Sequence, residues 1–401
     1  MNFKTLILTA LCAIMLFSCE KGDDKASAIY TDMKVNQTMT DPQGNMYLSG
    51  TFQGHMDFDP GEGTDMKHSK IEKKIYESSI FITKLNADGS YGWTITKDPA
   101  ESFDIISYYP QTVVDSKGNV YLASQETELE TYTCDESNDS CDTHKFITKS
   151  IYVQKYSSTG ELLFEKKIEG RGENYGFQLH IDKNDRLYLS ANMKGTYDLD
   201  PNEGAVAFNY EPENNNDFSF LFAIIILSEN GEYITSKTFN NMYPLSISFD
   251  SLHNMYIYFW DNVTDTLSKY LTKLDTNLDV VWQQNMDVYI TANGFKMTPD
   301  NRLFFPIDPM KDADLNDNNF RARQQRISHK LASFDSDGNY LGAENITNNN
   351  YELFIYNNEL NFNKNNDIYF LGTGIMNDDA SSDSGYIDIN IHFLTILHYT
   401  G

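Results

Sequence analysis

The sequence predicts an all-β chain built from repeated four-stranded units. Three observations carry this reading. A turn-and-strand motif occurs six times, a second strand-and-turn motif follows it, and no segment has a convincing amphipathic helical period. The 54 aromatics (26 Tyr, 25 Phe and 3 Trp) fit the same class, because such side chains favour a pleated, half-buried surface.

The first motif reads Asp41-Pro42-Gln43-Gly44-Asn45-Met46-Tyr47-Leu48 and recurs as Asp115-Ser116-Lys117-Gly118-Asn119-Val120-Tyr121-Leu122. Weaker copies start at Asp182 and Asp250, and the last two read Asp300-Asn301-Arg302-Leu303-Phe304 and Asn365-Asn366-Asp367-Ile368-Tyr369. Their aromatic positions 47, 121, 188, 256, 304 and 369 are spaced by 74, 67, 68, 48 and 65 residues. The second motif is an alternating strand ending in a hairpin turn: Phe81 to Gly89, Tyr152 to Gly160, Ala223 to Gly231, a glycine-free copy from Tyr270 to Leu278, and a fifth ending at Gly338. Asn-Gly, Asp-Gly and Thr-Gly suit such turns because they need φ > 0. One more strand follows each turn, as in Tyr91 to Ile95, and another precedes each first motif, as in Phe177 to Ile181.

Four-stranded units in series are propeller blades, and the expected fold is a six-bladed β-propeller over residues 28–401. Seven blades or an open repeat array are the alternatives. The last unit ends at the third strand and its turn glycine, Phe393 to Gly401, whereas Ala28 to Met33 is an extra strand-like stretch at the start. The expectation is that residues 28–33 complete the last blade and leave no open sheet edge. The Gly-Asn-x-Tyr motif, the Lys84-Leu85-Asn86-Ala87-Asp88-Gly89 turn and the Trp93 strand resemble bacterial β-propeller repeat proteins of the SBBP and NHL-like kind. Asp57-Phe58-Asp59-Pro60-Gly61 and Asp198-Leu199-Asp200-Pro201 also look like a recurring piece of that family. The resemblance implies the fold and leaves the function open.

Residues 1–18 read as a signal peptide, with Lys4 before an apolar run from Leu6 to Phe17. Leu16-Phe17-Ser18-Cys19 resembles the bacterial lipobox, which implies that Cys19 is acylated and anchors the protein to a membrane. The following tether, residues 19–27, opens Glu20-Lys21-Gly22-Asp23-Asp24. An acidic run there looks like the export signal of surface lipoproteins in Bacteroidetes-type bacteria, which implies the cell envelope, an outer-membrane lipoprotein facing outward. Only Cys134 and Cys141 then remain, bracketing a short polar loop. In an oxidising compartment a disulfide between them is expected; a metal site there would have only His144 to add.

With 31 Lys and Arg against 58 Asp and Glu, the formal net charge is −27. That excess argues against nucleic acid, whose phosphates need cations, and against a basic patch on anionic lipid. The eight histidines show no metal-ligand spacing, and no nucleophile signature is present. Asp57, Asp59, Asp198 and Asp200 have the hard oxygens that Ca²⁺ takes, and equally the side chains that build Asp-Pro turns. Long connections between second and third strands (Thr51 to Ser79, Gln125 to Ser150, Asn192 to Ser219, Asp308 to Ser328, Thr373 to Tyr386) are expected to emerge on one acidic face, with Arg321, Arg323 and Arg326 as a basic exception. Long loops on a rigid scaffold usually carry function. The reading is a non-catalytic protein binding a glycan, peptide or protein through that face, with no cofactor required and Ca²⁺ as the one candidate metal. The other class is a propeller hydrolase or lyase with a metal at the channel mouth.

Overall fold

The computed structural model describes residues 32–69, 78–98, 110–130, 146–211, 220–240, 242–261, 268–286, 289–290, 295–298, 300–308, 330–345, 356–362, 368–375 and 390–397. Cys19 and its tether, residues 28–31, Cys134, Cys141, Arg321, Arg323, Arg326 and residues 398–401 lie outside them. All described elements are strands, and they form six sheets of three to five strands in series, with a separate two-stranded hairpin inserted in the first.

The first sheet contains β1 (Asp32–Thr40) and β2 (Met46–Gln53), an inserted hairpin of β3 (His55–Asp57) and β4 (Met66–His68), then β5 (Ser79–Leu85) and β6 (Tyr91–Lys97). The second has β7 (Gln111–Val114), β8 (Val120–Glu130), β9 (Phe146–Tyr156) and β10 (Leu162–Ile168). The third has β11 (Gly170–Ile181), β12 (Leu187–Asp198), β13 (Ala207–Tyr210), β14 (Leu221–Leu227) and β15 (Tyr233–Asn240). The fourth is β16 (Met242–Phe249), β17 (Met255–Asp261), β18 (Lys269–Leu274) and β19 (Val280–Asn285). In the fifth, β20 (Tyr289–Ile290) and β21 (Lys296–Met297) share the first position, before β22 (Leu303–Asp308), β23 (Lys330–Phe334) and β24 (Tyr340–Asn345). The sixth shows β25 (Tyr356–Phe362), β26 (Ile368–Ile375) and β27 (Asn390–Leu397). Apart from the inserted strands, each sheet is a simple meander. The chain divides into two compact units, residues 1–238 and 239–401.

Two expectations about strand placement are corrected here. Asp32 and Met33 pair with Gln53 and Phe52, so this part of the expected closing stretch belongs to the first sheet. A nine-residue β1 gains a full ladder against β2, which a two-residue extension elsewhere could not match. The fifth turn begins at Thr298 rather than Asp300. Asn301 N–H donates to the Thr298 carbonyl (2.9 Å), and Arg302 N–H donates to Thr298 Oγ1 (2.9 Å).

The first motif works as a local cassette. The Asp41 carboxylate accepts the backbone N–H (2.9 Å) and side-chain amide (2.7 Å) of Asn45. Asp115 and Asp250 repeat this with Asn119 and Asn254. In the third sheet Arg186 replaces the Asn, its Nε donating to Asp182 at 2.7 Å. The tyrosine two residues on is buried in every clear copy: Tyr47, Tyr121, Tyr188 and Tyr256. Its hydroxyl satisfies the same carboxylate in the first, third and fourth sheets.

Within each unit, the first three sheets and the fourth and fifth are fastened to one another by three kinds of contact. The first is a lysine two residues before the second turn, which donates to a carbonyl in the next sheet's second turn. Lys84 reaches Ser158 O (2.8 Å), Lys155 reaches Glu229 O (2.8 Å) and Lys273 reaches Ser336 O (3.2 Å). The third and fifth sheets carry Ile226 and Ser333 at that position, and Arg186 and Arg302 in their first turns. The buried turn carboxylate takes its cation from the third strand in the second and fourth sheets (Lys155 and Lys273) and from its own turn in the third (Arg186), whereas Arg302 pairs with the exposed Asp300. The second contact seats a turn glycine on a fourth-strand side chain: a Cβ on Gly160 would lie 3.1 Å from the Trp93 ring, and one on Gly231 would lie 3.0 Å from Phe164.

The third contact explains residues that sequence statistics disfavour. Asp185 (φ 60°) and Asn301 (φ 64°) occupy the left-handed position that Gly44 and Gly118 fill elsewhere. Asp and Asn tolerate that conformation better than other side chains. Here they use it: Asp185 accepts from Ser116 N (2.9 Å) and Ser116 Oγ (2.7 Å) in the preceding sheet's turn. Asn301 accepts from Ser251 N (2.7 Å) and donates to Ser251 Oγ (2.8 Å). First strands of successive sheets also meet, as where Thr112 N donates to Gln37 Oε1 (2.8 Å) and Met297 N to Ser248 Oγ (3.1 Å).

Candidate functional site

The repeated Asp–Lys–Tyr cluster is the most buried polar feature, and its groups are committed to packing. Lys155 Nζ lies 3.2 Å from Asp115, and 4.6 Å from the Tyr121 ring centre. Burial, followed by the adjacent aspartate, pushes the Tyr47, Tyr121 and Tyr256 phenols well above the ordinary tyrosine range. They remain neutral donors rather than nucleophiles.

The insertions repay closer inspection. In the first sheet, Asp57 Oδ1 accepts from Asp59 N (3.1 Å) and Asp65 N (2.8 Å), while Asp59 Oδ1 accepts from Gly61 N (2.8 Å). The third sheet repeats the arrangement atom for atom. Asp198 Oδ1 accepts from Asp200 N (3.1 Å) and Val206 N (2.9 Å), and Asp200 Oδ1 from Asn202 N (2.9 Å). A Cβ on Gly63 would fall 2.1 Å from Asp59 Oδ2, and one on Gly204 2.0 Å from Asp200 Oδ2. All four candidate carboxylates therefore close their own loops. Among the described residues no group of three or more His, Cys, Asp and Glu side chains converges on one point.

These loops also correct the expectation that every long connection emerges on one face. The Asp65 carboxylate receives the Tyr91 hydroxyl. Asn202 Oδ1 accepts from Tyr233 N (2.8 Å), and its amide reaches Gly231 O (3.4 Å). Tyr91, Gly231 and Tyr233 lie at the third-to-fourth turns of their sheets. Both insertions thus fold back, burying Phe58 and Leu199, and carry their tips to the other end of the sheet. Elsewhere the expected insertion is strand: β8 and β9 stay paired out to Glu130 and Phe146.

Two exposed groupings remain at the second-to-third end of their sheets, and sequence reading singled out neither. In the fourth sheet Tyr243, Trp260 and Lys269 form one row across β16, β17 and β18. The Tyr243 and Trp260 rings lie side by side, 6.3 Å apart at 23°, and are 39% and 37% exposed. Lys269 Nζ lies 5.9 Å from the Trp260 ring centre, and burial lowers its pKa. Tyr256 and Tyr258 precede Trp260 on the same face and are buried, so the row emerges from the core at this end. In the first sheet His55 and His68 face each other across β3 and β4. The pairing is invisible in sequence because it depends on the register of three-residue strands.

No family model matches the chain, and no curated protein matches it. Among solved structures it is similar to a protein of unknown function from Bacteroides caccae, at 12% identity over 75% of this chain and 93% of that one, with a TM-score of 0.35. Hydrazine synthase from Kuenenia stuttgartiensis gives 9% identity, 88% and 80% coverage and a TM-score of 0.43. The Dos1 propeller gives 8% identity, 85% and 81% coverage and a TM-score of 0.38. At these identities and TM-scores the likenesses assign no function, which rests on the chain's own residues.

Proposed function

We propose that this chain is a lipid-anchored β-propeller of the cell envelope that binds a glycan without catalysing a reaction on it. The anchor is Cys19, facing outward from an outer membrane, and the Cys134–Cys141 disulfide suits that compartment. Six blade-like sheets in series, with first strands meeting between neighbouring sheets inside each compact unit, are what the six-bladed reading rests on.

The observation that carries the binding reading is the exposed Tyr243–Trp260 pair. Two aromatic faces side by side accept the C–H face of a sugar ring, while their polar edges stay hydrated. Exposed aromatics in register are otherwise a solubility liability, so a ligand accounts for them. The connection leaving Trp260 and the one bearing Arg321, Arg323 and Arg326 both join second to third strands, and the arginines are suited to an acidic sugar. The folded-back Asp57, Asp59, Asp198 and Asp200 loops are scaffold in this reading.

The test is a printed glycan array followed by titration of soluble oligosaccharides that score on it. Trp260→Ala is expected to cost about 2 kcal/mol, roughly thirtyfold in affinity, and Tyr243→Ala somewhat less. A bound glycan whose affinity survives both substitutions would overturn the reading. So would its turnover into cleaved product.

A further inference from the structure

We propose that His55 and His68 form a two-histidine site for a borderline divalent transition ion of the Zn²⁺ or Cu²⁺ class. The two residues are direct cross-strand partners in β3 and β4, and both are exposed. The two rings share one face of the hairpin with centres 4.3 Å apart at 77°, and their Nδ1 atoms are in closer contact than a hydrogen bond, so the exposed imidazoles must turn apart slightly to admit an ion between them. With the proton on Nε2, each ring would then offer its Nδ1 lone pair to a shared ion. That is the donor set imidazole offers to Zn²⁺, Cu²⁺ or Ni²⁺, and it is a poor one for Ca²⁺.

The scaffold beneath the pair is rigid, which is what a chelating site with only two protein ligands needs. On the side of His55 and His68 nearest the sheet, Gly54 N donates to Ser69 Oγ (2.7 Å) and Ser69 N to Gly54 O (2.9 Å). On the other side, Phe58 N donates to Asp65 O (3.1 Å) and Lys67 pairs with Asp65 at 2.9 Å. The opposite face of the hairpin is nailed to the core. Met56 and Phe58 are buried, and Phe58 packs 5.1 Å from Phe52 and 5.0 Å from Phe81. The backbones that carry the two imidazoles are therefore held in register by packing that the ion does not have to supply. Water fills the remaining coordination positions, since no third His, Cys, Asp or Glu converges among the described residues. This site is independent of the glycan reading, which rests on the fourth sheet.

Isothermal titration of ZnCl₂ and CuCl₂ into the purified, untagged full-length protein in detergent tests it, with CaCl₂ as control. One ion per chain is expected, with His55→Asn and His68→Asn each weakening binding by at least about tenfold. The double variant should be little worse than either single one, because the chelate is already broken. A measurement without substitutions backs this up: Zn²⁺ should protect His55 and His68 from diethyl pyrocarbonate, read residue by residue by mass spectrometry. Unchanged affinity in the double variant, equal binding of Ca²⁺, no protection of the two histidines, or no ion bound by the unaltered protein would each overturn the proposal.

Discussion

Replacing Lys155 by Met keeps the apolar stem and removes one charge from the seam between the second and third sheets. Lys155 and Asp115 are 6% and 0% exposed at 3.2 Å, so Asp115 would be left buried without its cation. Removing one partner of a buried pair costs about 3–5 kcal/mol. Asp115 keeps hydrogen bonds from Lys117 N (3.0 Å), Asn119 N (2.8 Å) and the Asn119 amide (2.8 Å), which points to the lower end, about 3 kcal/mol. The Glu229 carbonyl also loses its 2.8 Å donor, though the Tyr121 hydroxyl at 3.3 Å remains. Lys273→Met should cost less, about 1–2 kcal/mol, because its carboxylate lies farther away, at 3.7 Å. Urea unfolding followed by hydrogen exchange would read both: the Lys155 variant should lower the midpoint more, and peptides covering residues 226–233 should exchange faster. Equal midpoints for Lys155→Met and the unaltered protein, or a larger loss for Lys273→Met, would refute the account of these seams.

The buried phenols make stability fall on the alkaline side. Burial, then the charge of Glu165, pushes Tyr156 up to about 12, and burial pushes Tyr188 up to about 12 despite the opposing Arg186. With folded pKa values above the unfolded 10.0, their contribution is whole below about pH 10 and lost as pH rises through about 12. Tyrosinate absorbance should therefore show a late fraction that titrates together with loss of circular dichroism; a single transition near 10 with the fold intact would disprove it. Asp185→Gly relieves a left-handed side chain but strips Ser116 of two hydrogen bonds. It should cost about 2 kcal/mol, with Ser116→Ala adding little on top; full additivity in a double-mutant cycle would show that the contact carries nothing. Cys19→Ser should release the protein from membranes, and continued sedimentation with them would count against the anchor.

Much of this architecture could be read from the residues. The turn motifs announce themselves because their chemistry is local: an Asp, a left-handed residue and an Asn close a turn whatever surrounds them. Tyr47, Tyr121, Tyr188 and Tyr256 could be placed at equivalent positions for the same reason. The fourth turn could be placed by its spacing despite the missing glycine, but what holds a buried Leu278 at φ 67° is packing that no sequence pattern displays. Thr298 was missed because it does with a hydroxyl what the other copies do with a carboxylate. Asp32 and Met33 were expected in the closing stretch, but they extend the β1 ladder on β2. The candidate sites were less legible still. Asp57 and Asp198 look like ion ligands until their backbone partners are seen, whereas His55 and His68 meet only through register.

The contacts of Asp185 and Asn301 bear on how a tandem-repeat chain finds its order. Repeated units that resemble one another invite pairing with the wrong copy, a characteristic failure of such proteins. Asp185 requires a serine just after the turn aspartate of its predecessor, and Ser116 provides one; Asn301 makes the same demand and Ser251 meets it. Pro42 and Lys183 occupy that place in the first and third sheets, and neither has a hydroxyl to offer. Proline also has no backbone N–H to donate. The departures from glycine act as addresses, telling the third and fifth sheets which copy each must follow.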